Sequence, residues 1–423
     1  MRFAWFGLLV ACAQPRVLPP DVPAELPPDQ VRHFTIWLGG ARVGTATETE
    51  TWSRDGLRLR RAEAMRFLRG DAVVDLATTI EIEADAALSA HRVGWTERSA
   101  DVRTAEARRD RDHWQLSTGG SLPGTTVPAE LVPLLVRRDG GFSGSVFLPA
   151  RGFVVGTGRI EPVAPGRLVA RLALESGPLV EATIDLDRDG LPARVVDGEG
   201  VIAIRATPEQ ASQLFPLVDL ISATAIPIEA AAESPNGNGL GPRMNGLRGH
   251  RLLLEGDIAL PAVPGQSTRL ATSGVEVELG AAIPGDLPEG PRGVDRRRDI
   301  TAIMASVRGR IAPSLGAPLA SARDATAATA GDCTTFALAY AALATSLGIP
   351  TRVVTGLRVD GDRLVRHRWA VSWTGHAWIA VDAAFGAAPA GGDLIGLAVH
   401  EADDAGLVAG EAALTQVRTA AWN

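Results

Sequence analysis

Between Cys333 and Asp382 the spacing of apolar residues changes once, from a helical period to a strand period, and few folds accommodate that change in so short a stretch. Phe336, Tyr340, Leu343 and Leu347 recur at steps of four, three and four, which predicts one face of an α-helix beginning at Cys333. Gly348 closes that helix and Pro350 prevents its continuation. Residues 352–359 are then rich in β-branched side chains and run into Asp360-Gly361, a hairpin signal, so 363–373 is the returning strand. Thr374-Gly375 predicts a second tight turn, with 376–385 as a third strand. A two- or four-residue loop there gives the register that sets Trp373 against His376 and, in step with it, His367 directly across from Asp382 on one side of the sheet.

A thiol in the first turn of a helix lies against unpaired amide N–H groups and the positive end of the helix dipole, which favours the thiolate. A cysteine so placed, packed against a sheet that presents a facing histidine and aspartate, makes a set of nucleophile, base and orienting carboxylate. His376 is the competing base. It sits six residues from Asp382 along one strand, roughly 20 Å at about 3.3 Å per residue, too far for an orienting hydrogen bond.

Gly331-Asp332-Cys333-Thr334-Thr335-Phe336-Ala337, the Gly-Ile-Pro-Thr-Arg-Val-Val-Thr-Gly of 348–356, His367-Arg368-Trp369 and Trp378-Ile379-Ala380-Val381-Asp382 together resemble the transglutaminase-like core of bacterial proteins. The resemblance spans residues 295–404. It implies an α+β fold, with a nucleophile helix on an antiparallel sheet. It also implies Cys333 as nucleophile, His367 as base and Asp382 as its orienting partner, with no cofactor and no metal. The implied reaction is acyl transfer on a protein or peptide amide through a thioester, hydrolysis being favoured over cross-linking. Ala383-Ala384 stands where the family often has Pro-Thr, and Thr335 and Val371 stand where it often has Glu. Cell-wall peptidases with a Cys–His pair typically carry Asp-Cys-Ser-Gly, which this chain lacks. A silent binding or scaffold protein that keeps the core is the alternative from another class; it is expected to have lost one of the three residues, and all three are present.

Export signals explain the other cysteine. Residues 1–11 carry one Arg and a short apolar run ending Leu9-Val10-Ala11-Cys12, which resembles a bacterial lipoprotein processing site and makes Cys12 a candidate for lipidation. Ala13 after it favours the outer membrane by analogy, so membrane contact is expected only through a lipid anchor. With Cys12 acylated, Cys333 is the one free thiol, and a lone thiol in an exported protein suggests reactivity. The net charge of −7 gives nothing for nucleic acid to bind. All 42 basic side chains are Arg, so a transglutaminase-like enzyme of this composition cannot cross-link to its own side-chain amines.

Turn signals and alternation organise the remainder. Six prolines between Pro15 and Pro28 predict an extended linker over 13–30. Residues 31–206 read as an antiparallel β-domain, with turns at Gly39-Gly40, Asp55-Gly56, Gly70-Asp71 and Asp189-Gly190, and with Ile80 and Ile82 alternating with Glu81 and Glu83. A meander of this kind curls into an open barrel or half-barrel, faintly like lipoprotein carriers in shape. It reads as a structural or spacer module. Residues 207–293 read as a connecting β-unit with linkers, split by the Gly/Asn/Pro-rich boundary at 234–246. The catalytic domain is expected over 294–423, opening with a helix whose Ile300, Ile303, Met304, Val307 and Ile311 face the core. His33, His91 and His113 lack ligand spacing, and His400, Glu401, Asp403 and Asp404 read as a solvated turn.

Overall fold

The computed structural model describes residues 28–99, 101–174, 179–197, 200–229, 251–256, 258–280, 282–316 and 321–423. Cys12, the apolar run before it, most of the proline-rich linker and the boundary at 234–246 lie outside them.

The N-terminal region is one sheet of fifteen strands with its first strand, Gln30–Leu38, in the middle. From there a meander runs outward to one edge at Ser121–Pro123. Later strands run back from the other edge, and Ile202–Ala206 closes against Gln30–Leu38. The pairing is antiparallel throughout, apart from the short parallel bridge between Val127–Pro128 and Phe142–Leu148. Alternation behaves as expected: Ile80 and Ile82 are buried while Glu81 is exposed. The sheet's hollow is filled by a helix, Val132–Asp139, that periodicity did not reveal. It buries Val132, Leu134, Leu135 and Val136 among Trp114, Phe147 and Ile184. Pro133 near its start and Gly140 at a φ of 80° after it are the signals that mark its ends.

The C-terminal region is a nine-stranded sheet with helices on it, in keeping with the α+β expectation. Arg251–Gly256, Gln266–Leu270 and Val275–Leu279, expected as a connecting unit, extend this same sheet. They do so through the C-terminal strand Val417–Trp422, which pairs with Arg251–Gly256 and buries Leu252 and Leu254. The helix Arg297–Arg310 packs Ile300, Ile303, Met304 and Val307 into the core beside the helix Cys333–Ser346. That second helix exceeds the predicted single stripe. Its alanines let it lie between the first helix and the sheet, so Phe336 to Ala341 are all buried, whereas Leu347 is 54% exposed at its end.

Candidate active site

Cys333 is the first residue of its helix, and Asp332 is the N-cap. Asp332 Oδ1 accepts from the amides of Thr334 at 3.0 Å and Thr335 at 3.3 Å, and its carbonyl accepts from Phe336 N. That leaves the Cys333 N–H as the first-turn amide the cap does not use.

His367 stands in a gap of the sheet. Its strand, Arg363–Trp373, pairs with Ile226–Glu229 at one end and with Trp378–Val381 only from Ala370 onward. Between Leu364 and Ala370 that edge is open, and His367 Nε2 donates across it to Asp382 Oδ2 at 2.8 Å. The predicted register needs correction. Trp373 pairs with Trp378, not His376, so the loop holds four residues and the ladder is displaced by two. Thr374 closes that loop, its hydroxyl accepting from Ala377 N and donating to Ala377 O. A displacement of two keeps side chains on their own face, so His367 and Asp382 still meet, diagonally instead of directly opposite. The third strand is also shorter than expected, because the chain turns at Asp382, where Gly386 N and Ala387 N bond back to the Asp382 carbonyl. His376 lies exposed in the loop.

The imidazole is 5% exposed, stacked on Trp369 at 6.0 Å and met edge-on by Phe385 at 5.5 Å. Burial opposes its protonation. Hydrogen bonds to Asp382 and Cys333, and the charges of both, outweigh burial and hold His367 up to about 10. With Nε2 committed to Asp382, Nδ1 is the ring nitrogen left for the sulfur. Trp369 needs glycine beneath it: a Cβ at Gly356 would stand 2.9 Å from the indole and 2.0 Å from Ile395 O.

A second polar group braces the helix start. Arg368 donates through Nε to Thr355 Oγ1 at 2.8 Å, through Nη1 to Thr334 Oγ1 at 2.9 Å, and through Nη2 to Glu411. Burial disfavours the Glu411 charge, yet Arg368 and Arg366 prevail and hold its carboxyl below the ordinary range. Thr355 in turn donates to His400 Nε2 at 2.9 Å, and His400 Nδ1 donates to Glu401 O at 2.7 Å. The expected solvated turn is therefore wrong at its two ends. His400 is 2% exposed, and Asp404 accepts from Ala322 N at 2.6 Å, while Asp403 caps the helix Asp404–Leu414 through Gly406 N. No cluster able to hold a metal occurs among the described residues.

Cys333, His367, Thr355, Arg368 and Glu411 line a cavity of about 670 Å³ between the two regions. The C-terminal region supplies Cys333, His367, Arg358, Arg366 and Phe385, and the N-terminal region supplies Leu38 and Arg69, with Leu220 and Ile221 from the segment between them. A second cavity of about 380 Å³ adjoins it, lined by Val43, Met65, Phe67 and Leu407. Arg358 lies 3.6 Å over the Phe385 ring and is held by Asp393 at 2.8 Å.

The family model described as Transglutaminase-like superfamily matches residues 293–383, the stretch that holds Cys333, His367 and Asp382. This stretch is a transglutaminase-like domain. None of the curated proteins compared matches the chain. Among solved structures, the chain is similar to a duf1089 family protein from Pseudomonas aeruginosa, at 16% identity over 35% of this chain and 87% of that one, with a TM-score of 0.26.

Sequence reading missed four residues around the transglutaminase-like site: Arg69, Asp332, Arg368 and Glu411. Asp332 was legible, as an Asp one position before an apolar helix. Glu411 was too, as a single carboxylate in the apolar run Ala409 to Leu414.

Proposed function

We propose that this protein is a cysteine-dependent acyl transferase acting on protein or peptide amides, with Cys333 as nucleophile, His367 as acid and base, and Asp382 as the carboxylate that orients the imidazole. The observation that carries the reading is the buried 2.8 Å bond from His367 Nε2 to Asp382, made by an imidazole that lines one cavity together with Cys333 at a helix N-terminus. Cys333 Sγ attacks the carbonyl carbon and forms the C–S bond; the negative charge passes to the carbonyl oxygen, opposite the free N–H of Cys333. His367 then gives the Nδ1 proton to the departing amine, and the C–N bond breaks to leave the thioester. Water or an amine attacks that thioester, His367 takes the new proton, and the thiolate leaves. Asp382 keeps Nε2–H in place and stabilises the imidazolium through both steps.

Hydrolysis is the dominant outcome in this reading, by analogy with short bacterial members of the family. A fluorescent, thiol-directed acylating probe applied to the purified full chain is expected to label Cys333, and Cys333→Ser to abolish the label. Casein with a dansylated amine then separates the outcomes. New peptide termini outrunning dye incorporation support hydrolysis; Cys333-dependent dye incorporation without new termini reverses the order. Absence of label at Cys333 sinks the reading. We further propose that Cys12 is lipidated and holds the protein at the cell envelope. Mass spectrometry of the product from a bacterial host is expected to find a diacylglyceryl group there, and a product beginning at an unmodified Met1 refutes it.

A further inference from the structure

We propose that Arg69, a side chain of the N-terminal β-domain, is a positioning residue for Cys333, which makes that domain a working part of the active site instead of a spacer. The proposal rests on the reading of Cys333 as the nucleophile. Arg69 ends the strand Gly56–Arg69, and its Nη2 donates to Asp332 Oδ2 at 2.5 Å across 263 residues of sequence. The Asp332 carboxylate is thus divided. Oδ1 takes the two helix amides, and Oδ2 takes the guanidinium. Two sets of donors fix the plane of the carboxylate, and with it the first turn from which Cys333 projects.

Arg69 is itself held at both ends. Its Nη1 donates to Leu315 O at 3.3 Å. The backbone on either side is tied to the segment before the next helix: Leu68 N donates to Val218 O at 2.9 Å and Gly70 N to Asp219 Oδ1 at 2.9 Å. The same Asp219 caps the helix Leu220–Ala223. An arginine on a frayed strand end would need none of this, so the fold spends several bonds on aiming one side chain at the cap.

Charge supplies the chemical reason. Ser, Thr or Asn would cap this helix about as well as Asp and bring no charge. A carboxylate one residue from a nucleophilic cysteine disfavours the thiolate, and a cation bound to that carboxylate cancels the effect while leaving the cap intact. Burial works against the Arg69 charge, but Asp332 and then Cys333 hold the guanidinium firmly protonated.

The test is alkylation of Cys333 by iodoacetamide as a function of pH in the folded full chain, with melting curves for each variant. Arg69→Gln is expected to move the inflection upward by about one unit and to slow alkylation at neutral pH about tenfold. Arg69→Lys, which keeps the charge, is expected to recover most of the loss. Adding Asp332→Asn to Arg69→Gln is expected to return the inflection to within about half a unit of the wild type, because the repelling carboxylate leaves with the cation that cancelled it. Should Arg69→Gln not fold alone, Asp332→Asn is compared with and without it: the lone Asp332→Asn leaves the cation unpaired near the thiolate and is expected to have the lower inflection, and equal inflections overturn the proposal. A folded Arg69→Gln with the wild-type inflection overturns the proposal, and so does a double variant that stays as slow as Arg69→Gln. Wild-type Cys333 that reacts no faster than glutathione sinks the nucleophile reading and this proposal with it. A fast wild type matched by Arg69→Gln sinks this proposal alone.

Discussion

Two buried histidines lie on one sheet, separated by the single strand Thr351–Asp360, and only one of them holds a charge. His367 is 5% exposed and held up to about 10; His400 is 2% exposed and pushed down to about 4. Burial disfavours the imidazolium in both. The neighbours decide the outcome. His367 gives Nε2–H to a carboxylate and meets a thiol, whereas His400 is pushed down by burial first and then by the Arg368 cation, against a bond to the Glu401 carbonyl. The bond order around His400 also fixes it as neutral: Arg368 donates to Thr355, Thr355 donates to Nε2, and Nδ1 donates to Glu401 O. A second proton on His400 would leave the Thr355 hydroxyl hydrogen without an acceptor. One imidazole is held with two protons beside a thiol; the other is held with one, inside the bonds that brace the helix start.

The largest expected break in this contrast is Asp382→Asn. It preserves shape but removes the charge that holds His367 protonated and oriented. Turnover on casein is expected to fall by about three to four orders of magnitude, and the His367 imidazole signals in NMR to titrate at lower pH. Retention of a third or more of wild-type turnover would mean that Asp382 does not orient the base. Next comes the packing that sustains His400. A Cβ at Gly410 would stand 2.4 Å from Thr355 Oγ1 and 3.0 Å from His400 Nε2. Gly410→Ala is therefore expected to cost about 1–3 kcal/mol in chemical denaturation, and to lower activity by loosening Glu411 from Arg368. A variant as stable as the wild type would show that the helix Asp404–Leu414 is not seated on Thr355.

Stability against pH sharpens the comparison, since the two histidines have opposite signs. His400 stays neutral in the folded chain down to about 4, while the unfolded residue takes a proton below about 6.5. Its contribution is complete above 6.5 and is lost as pH falls toward 4. His367 keeps its proton when folded up to about 10, while the unfolded residue loses it above about 6.5. Its contribution is complete below 6.5 and is lost as pH rises toward 10. Denaturation midpoints are expected to peak near neutrality, with His400→Gln flattening the acid limb and His367→Gln the alkaline one. An acid limb unchanged by His400→Gln would assign it to other groups.

What could be read from the sequence was local. The strand Arg363–Trp373 and the start of the Cys333 helix follow from turn residues and period within a dozen positions, and the structure places them there. The meeting of His367 and Asp382 was legible even though the register was displaced, because strand parity survives a shift of two. Long-range pairing was not. Nothing within Arg251–Gly256 names Val417–Trp422 as its partner, and nothing near Arg69 names Asp332. The helix Asp404–Leu414 hid for a different reason. Glycines at 406 and 410 let it approach His400 and Thr355, and its other residues are apolar on nearly every side, so no stripe stands out.

The smallest expected effect belongs to His376, and it bears most on how the triad is identified. His376-Ala377-Trp378 is closer to the family's usual His-Ala-Trp than His367-Arg368-Trp369 is, so a reading by words alone selects His376. Geometry separates them. His376 is exposed in a four-residue loop, its amide at 3.4 Å from the Thr374 hydroxyl, while Asp382 is already bonded to His367 at the far end of the neighbouring strand. Trp378 is occupied against Trp373 at 5.8 Å and donates to Pro288 O, so this word serves the hairpin. His376→Ala is therefore expected to change stability by no more than about 0.5 kcal/mol and to leave most turnover in place. His367→Ala, folded by circular dichroism, is expected to lose turnover altogether. The reverse result would leave the Asp382 bond without a catalytic meaning, and the orienting carboxylate would have to be sought within reach of the loop.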